Sequence, residues 1–194
     1  MGRPAKFSND QILDAAAELV AEGGQGAVTI SAIAARLGAP SGSIYHRYAS
    51  RDLLVAHLWM RAARRFQEGY LRAAGRADPH AAAESAVSYV VGWSADNLRE
   101  ARLLLLHRHE DLLAAWPAEL AGDLAALNAD LAAALSALSA RYFGAETPEN
   151  LERITFALVD VPYAAVRRHL IAGRTPPASA GRLAVLAARA ALDG

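Results

Sequence analysis

Apolar residues recur every three to four positions through most of the chain, the spacing that gathers them on one face of an α-helix. No stretch alternates apolar with polar residues as a half-buried strand does. Gly and Pro residues divide the pattern into separate segments. The pattern predicts helices at about 9–22, 30–37, a very short one after Ser41, one from Ser50 toward Gly75, and further ones at about 80–98, 100–113, 117–142, 148–171 and 178–192. The predicted fold is therefore all-α.

Side chains that accept hydrogen bonds from backbone N–H groups precede several of these helices. Ser8, with Gln11 three residues later, fits a capping box at the first helix. Thr29 and Ser50 are placed as N-caps of the second and fourth helices, and Ser41 as the cap of the short third helix. Such helix starts attract phosphate through their unpaired N–H groups, although a Ser or Thr at these positions also serves as an ordinary cap.

The composition agrees with a helical fold and narrows the class of protein. Alanine and leucine dominate, and both enter helices at little conformational cost. The chain has no cysteine, which excludes a disulfide framework and a cysteine-ligated metal. No apolar run approaches about 18 residues without a charge, and the first ten residues lack the apolar core of a secretion signal. We therefore expect a cytoplasmic protein that has no membrane partner.

The formal net charge is zero, yet the charges are unevenly distributed. Residues 1–65 hold eight Lys and Arg against five Asp and Glu, a net charge of +3, and the other 129 residues carry the matching −3. A basic head on an acidic body is typical of a protein whose head binds nucleic acid. Arg3 and Lys6 lie before the first helix, on an arm that we expect to contact the DNA backbone or a minor groove.

The second and third helices are joined by a four-residue turn that contains glycine, which predicts a helix-turn-helix. In that motif the second helix enters the major groove while the first crosses the DNA backbone. The segment "SGSIYHRYASRDLL" at 41–54 suits the groove-facing role, because it has few apolar residues and many hydrogen-bond donors. Tyr45 and His46 are expected to bind phosphate oxygens, and Arg47 is the main candidate for a base contact.

The run "ILDAAAELVAEGGQGAVTISAIAARLGAPSGSIYHRYASRDLL" resembles the DNA-binding domain of the TetR family of transcriptional regulators, over Phe7 to about Leu54. The Gly-rich elbow, the Thr-initiated second helix, the recognition helix and the "SRDLL" start of the fourth helix all fall at family spacing. The resemblance implies a homodimer that binds a palindromic operator, most often a repressor released by a small-molecule effector. It divides the chain into a helix-turn-helix domain, residues 1–50, and a helical regulatory, ligand-binding and dimerisation domain, residues 51–194.

The same resemblance assigns DNA-binding roles position by position. Thr29 matches a cap that contacts the DNA backbone, and Tyr45 with His46 matches the phosphate-binding pair. Arg51 stands where relatives often carry a phosphate-binding Lys, and Tyr48 replaces a commoner Phe whose ring packs inward. Together with the arm and the base-reading candidate, the predicted DNA-binding residues are Lys6, Thr29, Ser41, Gly42, Ser43, Tyr45, His46, Arg47 and Arg51.

A second set of residues combines aromatic rings with a few polar groups, as small-molecule sites do. Asp160 lies between two valines, and its burial would require an arginine such as Arg102 or Arg108, a histidine or a ligand as partner. Pro162 is expected to kink its helix and open space for a ligand. The predicted ligand-binding residues are Tyr89, Trp93, Asn97, His107, Trp116, Phe156, Asp160 and Tyr163. For each aromatic ring the alternative is an ordinary place in the core.

The helix at 148–171 is apolar almost all round, so it must be buried on more than one side. The last helix has a narrow seam of Leu183, Leu186, Ala187 and Ala190. We expect a four-helix dimer bundle made of these two helices from each subunit, which the family resemblance also implies. The alternative is a larger core within a single chain.

We expect no enzyme and no cofactor, because the sequence has no Gly-rich phosphate loop and no Gly-x-Ser-x-Gly elbow. We also expect no metal site, because His107 and His109 are two residues apart and point to different sides of a helix. The alternative to a DNA-binding regulator is a helical protein-interaction scaffold. Heparin retention that falls steeply with salt, together with a shift of promoter DNA, separates the two.

Overall fold

The computed structural model describes residues 7–106 and 116–194 of the chain, and within these ranges it contains helices and no strand. The helices are α1 (Asn9–Gly23), α2 (Ile30–Leu37), α3 (Ser41–Tyr45), α4 (Arg51–Ala74), α5 (Pro79–Asp96), α6 (Leu98–Leu106), α7 (Ala121–Phe143), α8 (Pro148–Thr155), α9 (Val161–Ile171) and α10 (Ala178–Asp193). Short 3-10 turns at Gln25–Ala27 and Ala118–Leu120 precede α2 and α7, and a π-helical turn, Phe156–Asp160, joins α8 to α9. The all-α prediction is confirmed.

The helix starts follow the predicted caps with one exception. Ser8 and Gln11 form the reciprocal capping box, and the side chains of Thr29 and Ser50 accept from backbone N–H groups three residues later. Ser41 is not the cap of α3: Pro40 holds the N-cap position, and Ser41 is the first helical residue. Proline is suited to this place because its fixed φ already matches the extended conformation that precedes a helix.

Pro162 does not break the helix that contains it. It lies in the first turn of α9, directly after the π-helical turn, and its side chain is fully buried. A proline has no N–H for the carbonyl four residues earlier, and the extra residue of a π turn relieves its steric conflict with the preceding turn. That earlier carbonyl belongs to Leu158 and accepts a hydrogen bond from the Tyr70 hydroxyl at 3.3 Å. The described chain therefore continues through Pro162 as one connected helical segment.

Two apolar clusters make up the core. The head cluster joins α1, α2 and α3 to the first half of α4, and its most buried members include Ala16, Val28, Ile33, Ile44 and Leu54. The body cluster joins the second half of α4 to α5, the end of α7, and α8 to α10. Two of the described helices belong to both clusters: α4, and α6 through Leu103 in the head cluster and Ala101 in the body cluster.

Three arginines of α4 form ion pairs with neighbouring helices. Within the described ranges, consecutive turns of α4 bind three different helices: Arg61 binds Asp14 of α1 at 2.9 Å, Arg64 binds Asp123 of α7 at 2.7 Å, and Arg65 binds Glu100 of α6 at 2.9 Å. Only Arg61 is mostly shielded from solvent, with 13% of its side chain exposed. Exposed ion pairs add little stability, so these contacts chiefly set the orientation of α4.

One helix among the described residues, spanning Ala118–Phe143, is long and apolar enough to cross a membrane by length and composition alone. The same helix carries Asp123, which pairs with Arg64, and it accepts a hydrogen bond from the Gln67 side chain at the carbonyl of Leu127, 2.6 Å. These polar contacts are to α4 of the same chain.

Candidate nucleic-acid interface and effector cavity

The turn between α2 and α3 is set by backbone geometry. Gly38 ends α2 in the left-handed region, with φ of 59°, a conformation that side-chain-bearing residues adopt only with strain. The N–H of Ala39 then returns to the carbonyl of Ala34 at 2.9 Å, and Pro40 starts α3. The chain therefore reverses within a few residues, and α3 is presented at a fixed angle to α2.

The two sides of α3 differ sharply in burial. Ile44 is 1% exposed and is the buried residue of this helix. Tyr45 is 55% exposed, and His46 together with the three residues at 41–43 is also exposed. A large aromatic side chain left in solvent beside small residues and donors fits a surface that meets a polyanion. The predicted donors Tyr45 and His46 are thus brought together on one accessible face.

Tyr48 packs inward as predicted. Its side chain is 3% exposed, and its ring meets the His57 ring of α4 edge to face at 5.3 Å between centroids. Burial raises the pKa of Tyr48, and burial together with the nearby Arg64 charge lowers the pKa of His57. The pair fixes the end of the recognition segment against the start of α4.

Arg47 departs from its expected orientation. Its side chain is only partly exposed, and one terminal guanidinium nitrogen, Nη1, is buried without a hydrogen-bond partner. It lines an open apolar groove of about 410 Å³ beside α3, whose walls include Phe7, Ile12 and Ile44. A base contact therefore requires the side chain to rotate out of this groove, and that contact stays a prediction.

Arg51 has a structural contact that the sequence pattern did not indicate. Its Nε donates to the carbonyl of Val28 at 2.7 Å, and its Nη1 meets Asp52 at 3.3 Å. The first bond ties the start of α4 to the residue just before Thr29. Arg51 therefore orients two helix starts relative to each other, and its phosphate contact stays a prediction. Lys6 and Arg3 lie outside the described residues.

A cavity of about 210 Å³ opens in the body between α4, α5, α6 and α9. Its walls are almost entirely apolar, and Phe66 sits at their centre, 5.0 Å from the Trp93 ring and 5.7 Å from the Tyr89 ring between centroids. The described lining residues are Phe66, Val90, Trp93, Ser94, Ala101, Leu104, Tyr163, Val166 and Leu170. The shape and lining suit a small apolar ligand.

The structure brings only part of the predicted ligand set together. Trp93 and Tyr163 line the cavity, and Tyr89 lies behind Phe66 in the same aromatic cluster. Asn97 instead bonds the carbonyl of Trp93 at 3.1 Å, closing the end of α5. Trp116 packs edge to face on Trp59, 5.6 Å between centroids, outside the lining of this cavity.

Three further predictions for this set have other outcomes. Asp160 is exposed, so it does not need the partner that its burial would require, and its role in ligand binding stays a prediction. Phe156, 52% exposed, lies on the same outer face. His107 lies outside the described residues. Each residue lies two positions from a buried residue on either side, Phe156 between Ile154 and Leu158 and Asp160 between Leu158 and Pro162, and so points to the opposite side of the helix.

Several cavity residues were missed by the sequence analysis, above all Phe66, Val90 and Leu104. Each continues an ordinary apolar stripe, so nothing in its own surroundings separates a cavity wall from a packed core. Phe66 is four residues before Tyr70 on α4, which predicts that both face the body, but not that a space lies between them. Among the described residues, no group of three His, Asp or Glu is arranged to hold a metal ion.

Residues 12–58 match the family model for bacterial regulatory proteins of the tetR family. The match runs from the first buried residue of α1 to the first turns of α4, and so covers the helix-turn-helix and its core. No curated protein matches the chain.

Solved structures match nearly the whole chain. The TetR family transcriptional regulator PfmR from Thermus thermophilus is 18% identical with a TM-score of 0.70, over 94% of this chain and 97% of that one. KstR2, a ketosteroid transcriptional regulator of Mycobacterium tuberculosis, is 18% identical with a TM-score of 0.68, over 97% and 95%. FadR of Bacillus subtilis, solved with stearoyl-CoA, is 16% identical with a TM-score of 0.67, over 96% of each chain. The head therefore matches the tetR family model over residues 12–58, and the chain as a whole has the fold of the TetR family regulators named above.

Proposed function

We propose that the protein is a ligand-responsive transcriptional repressor, which binds a palindromic operator as a homodimer and releases it when a small-molecule effector binds the body. The observation that carries the proposal is the exposed side of α3, where Tyr45 and His46 stand clear of a helix anchored by Ile44. Its place of action is the cytoplasm, where the operator is, and it has no catalytic role.

The DNA contacts proposed for the head divide into positioning and reading. Tyr45 and His46 bind phosphates, together with the helix starts at Thr29 and Ser50, and these contacts fix the register of the head on the duplex. Arg47 reads a base after leaving its groove. The exposed residues at 41–43 are small, which lets the start of α3 approach the base edges closely.

The homodimer is supported by the surface of the last helices. Large apolar side chains of the described residues are exposed mainly on one face formed by the π turn, α9 and α10. An apolar patch of this kind on a soluble regulator marks a site of association. A two-fold axis through this face would present two copies of α3 to successive major grooves, which lie about 34–36 Å apart.

The effector is proposed to be small and predominantly apolar, because it must fit a cavity of about 210 Å³ with aromatic and aliphatic walls. Two relatives support a ligand-responsive body: one structure is a complex with stearoyl-CoA, and another relative is named for ketosteroids. An occupant beside Phe66 pushes on the second half of α4. The start of α4, which carries Arg51, then moves and changes the separation of the two recognition helices, and a coupling of about 1–3 kcal/mol is sufficient for release.

The proposal is tested by selecting bound duplexes from a random pool and measuring the affinity of the enriched sequence with and without candidate apolar effectors. We expect an inverted repeat, an affinity that falls with salt by a slope of about −0.9 per phosphate contacted, and weaker binding when an effector is present. If the protein enriches no DNA sequence and its retention on heparin does not depend on salt, the alternative hypothesis of a protein-interaction scaffold is supported instead. An affinity unchanged by every effector that binds the cavity refutes the switch alone.

A further inference from the structure

The outer face of the last helices has an internal symmetry. Apart from Tyr45, the large apolar side chains exposed in the described residues all belong to the π turn, α9 and α10: Phe156, Tyr163, Ile171, Leu183 and Leu186, each 47–62% exposed. Along the π turn and α9, Phe156 precedes the Tyr163–Ala164 bond by the same number of positions as Ile171 follows it. Asp160 and Arg167 are likewise equidistant from that bond.

The two charges on this face have no partner of their own. Within the part of the chain that the structure describes, neither side chain, Asp160 nor Arg167, makes a hydrogen bond or an ion pair. Both residues are exposed, Asp160 between Val159 and Val161 and Arg167 between Val166 and Arg168. By contrast, Arg61, Arg64 and Arg65 of α4 each pair with a carboxylate. A two-fold axis through the midpoint between two opposite charges places each charge against the opposite charge of a second copy of the same segment.

We propose that α9 packs antiparallel against the α9 of a second copy about a two-fold axis at the Tyr163–Ala164 bond, and that Asp160 pairs there with Arg167 of the partner subunit. In a two-fold interface, if one residue contacts another across the axis, the reverse contact also forms. Each dimer therefore has two such ion pairs. Phe156 meets Ile171 of the partner subunit on either side, outside the charges. The inference rests on the proposed homodimer and gives it a register and a basis for partner choice.

Other registers are disfavoured by the same residues. A shift by one helical turn in one direction places Asp160 against the partner's Ile171, and a shift in the other direction places Phe156 against the partner's Arg167. Each leaves a charge covered by an apolar side chain without an opposite charge. Pairing with a related chain that lacks an acidic residue at 160 or a basic residue at 167 would likewise leave a charge covered without an opposite charge. The pair therefore selects a second copy of this chain over other proteins of the same fold.

Charge reversal gives the decisive test, with sedimentation as the measurement. Asp160→Arg and Arg167→Asp should each raise the dimer dissociation constant by about 10- to 100-fold, because every contact then joins like charges. The double variant should return to within about three-fold of the original, since the pairs are restored with reversed sign. An equimolar mixture of the two single variants should form heterodimers, because one copy supplies only arginine and the other only aspartate at the two positions.

The register is tested separately by cross-linking, since the chain has no native cysteine. Ala164→Cys lies next to the proposed axis and should form a disulfide with its own copy, because helices in contact there bring the two Cα atoms within the roughly 4.4–6.8 Å that a disulfide spans. Ala133→Cys, on an exposed part of α7, is the matched control and should remain reduced. Circular dichroism confirms that each variant remains helical.

The outcomes distinguish the existence of the homodimer from the register in which its α9 helices pack. A native protein that sediments as a monomer at micromolar concentration overturns the homodimer and this inference together. A stable dimer that tolerates both single reversals equally well, or that cross-links at Leu186→Cys and not at Ala164→Cys, keeps the homodimer and overturns the register. Rescue by the double variant with cross-linking at the axis supports the register.

Discussion

In the head, the candidate DNA-binding side chains come mainly from one run of residues between Ser41 and Arg51, whereas the body cavity is lined by four helices whose contributions extend from Phe66 to Leu170. Tyr45 and His46 are exposed, whereas most of the cavity residues belong to the body cluster or pack against it. In the head, function can be altered without altering packing. In the body, a change to the site is also a change to the core.

This difference decides what a substitution can reveal. Tyr45 is 55% exposed and is not part of the head cluster, so its loss should affect binding alone. Phe66 packs against the rings of Tyr89 and Trp93, so its loss would lower both ligand affinity and stability. We therefore expect substitutions at exposed head positions to change DNA binding alone, and substitutions in the body to change binding and stability together.

Ile44→Ala should lower both the stability of the head and its affinity for DNA, because Ile44 is the buried anchor of α3 and is 1% exposed. We expect a loss of about 2–5 kcal/mol in the free energy of unfolding, together with loss of operator binding. Leu138→Ala, at a fully buried position of the body, is the matched control. It should lose a similar free energy while the folded protein keeps its DNA affinity. Urea denaturation and fluorescence anisotropy measure the two quantities.

Replacing Tyr45 and His46 together by alanine should weaken operator binding by about 100-fold or more, since each of the two lost hydrogen bonds to a charged phosphate contributes roughly 1.5–3 kcal/mol net. The free energy of unfolding should change by less than about 0.5 kcal/mol, because both side chains are exposed. The salt dependence of the affinity should also become shallower. Unchanged affinity for duplex in a folded variant would refute the assignment of α3 to the groove.

The same contrast explains how much of the molecule could be predicted from the sequence. Caps, glycine stops and apolar spacing act over a few residues, so the helices of the head and the inward packing of Tyr48 could be predicted. Ser41 failed as a cap only because the neighbouring Pro40 already fits that position.

The orientations of long side chains could not be predicted in this way. Arg47 rests in an apolar groove, and Arg51 bonds the carbonyl of Val28, because of contacts between segments that are distant in sequence. The cavity is a stronger case, since a space is defined by what four helices leave unfilled. Asp160 was a ligand candidate because its neighbours are valines, but it lies two positions from the buried Leu158 and Pro162 and faces outward.

Gly69→Ala tests whether packing and effector binding change together in the body. A Cβ at this position would lie 2.1 Å from the Tyr89 hydroxyl oxygen, so the Tyr89 ring must move and disturb the aromatic cluster behind the cavity. We expect a loss of about 1–3 kcal/mol in stability and weaker effector binding, with operator affinity in the absence of effector preserved.

Gly92→Ala is the control for that substitution, because it lies on the adjoining helix α5 with nothing within 4 Å of the added Cβ. It should raise stability by up to about 1 kcal/mol, as alanine is the better helix former. A gain of stability at Gly69 equal to that at Gly92 would show that backbone propensity, and not the contact with Tyr89, governs the result.

The smallest expected effect concerns pH and the contact between α3 and α4. Burial and the Arg64 charge lower the pKa of His57 below its ordinary value of 6.5, so the folded head binds this proton less readily than the unfolded chain does. The contribution of His57 to stability is therefore present above about pH 6.5 and is lost as the pH falls toward the lowered pKa. His57→Gln should reduce the decline in unfolding free energy between about pH 7.5 and pH 5.5, because the group that takes up the proton on unfolding is gone. Tyr48→Phe keeps the ring that shields His57 and should retain the decline. A decline that persists in full in His57→Gln would show that another group takes up the proton on unfolding.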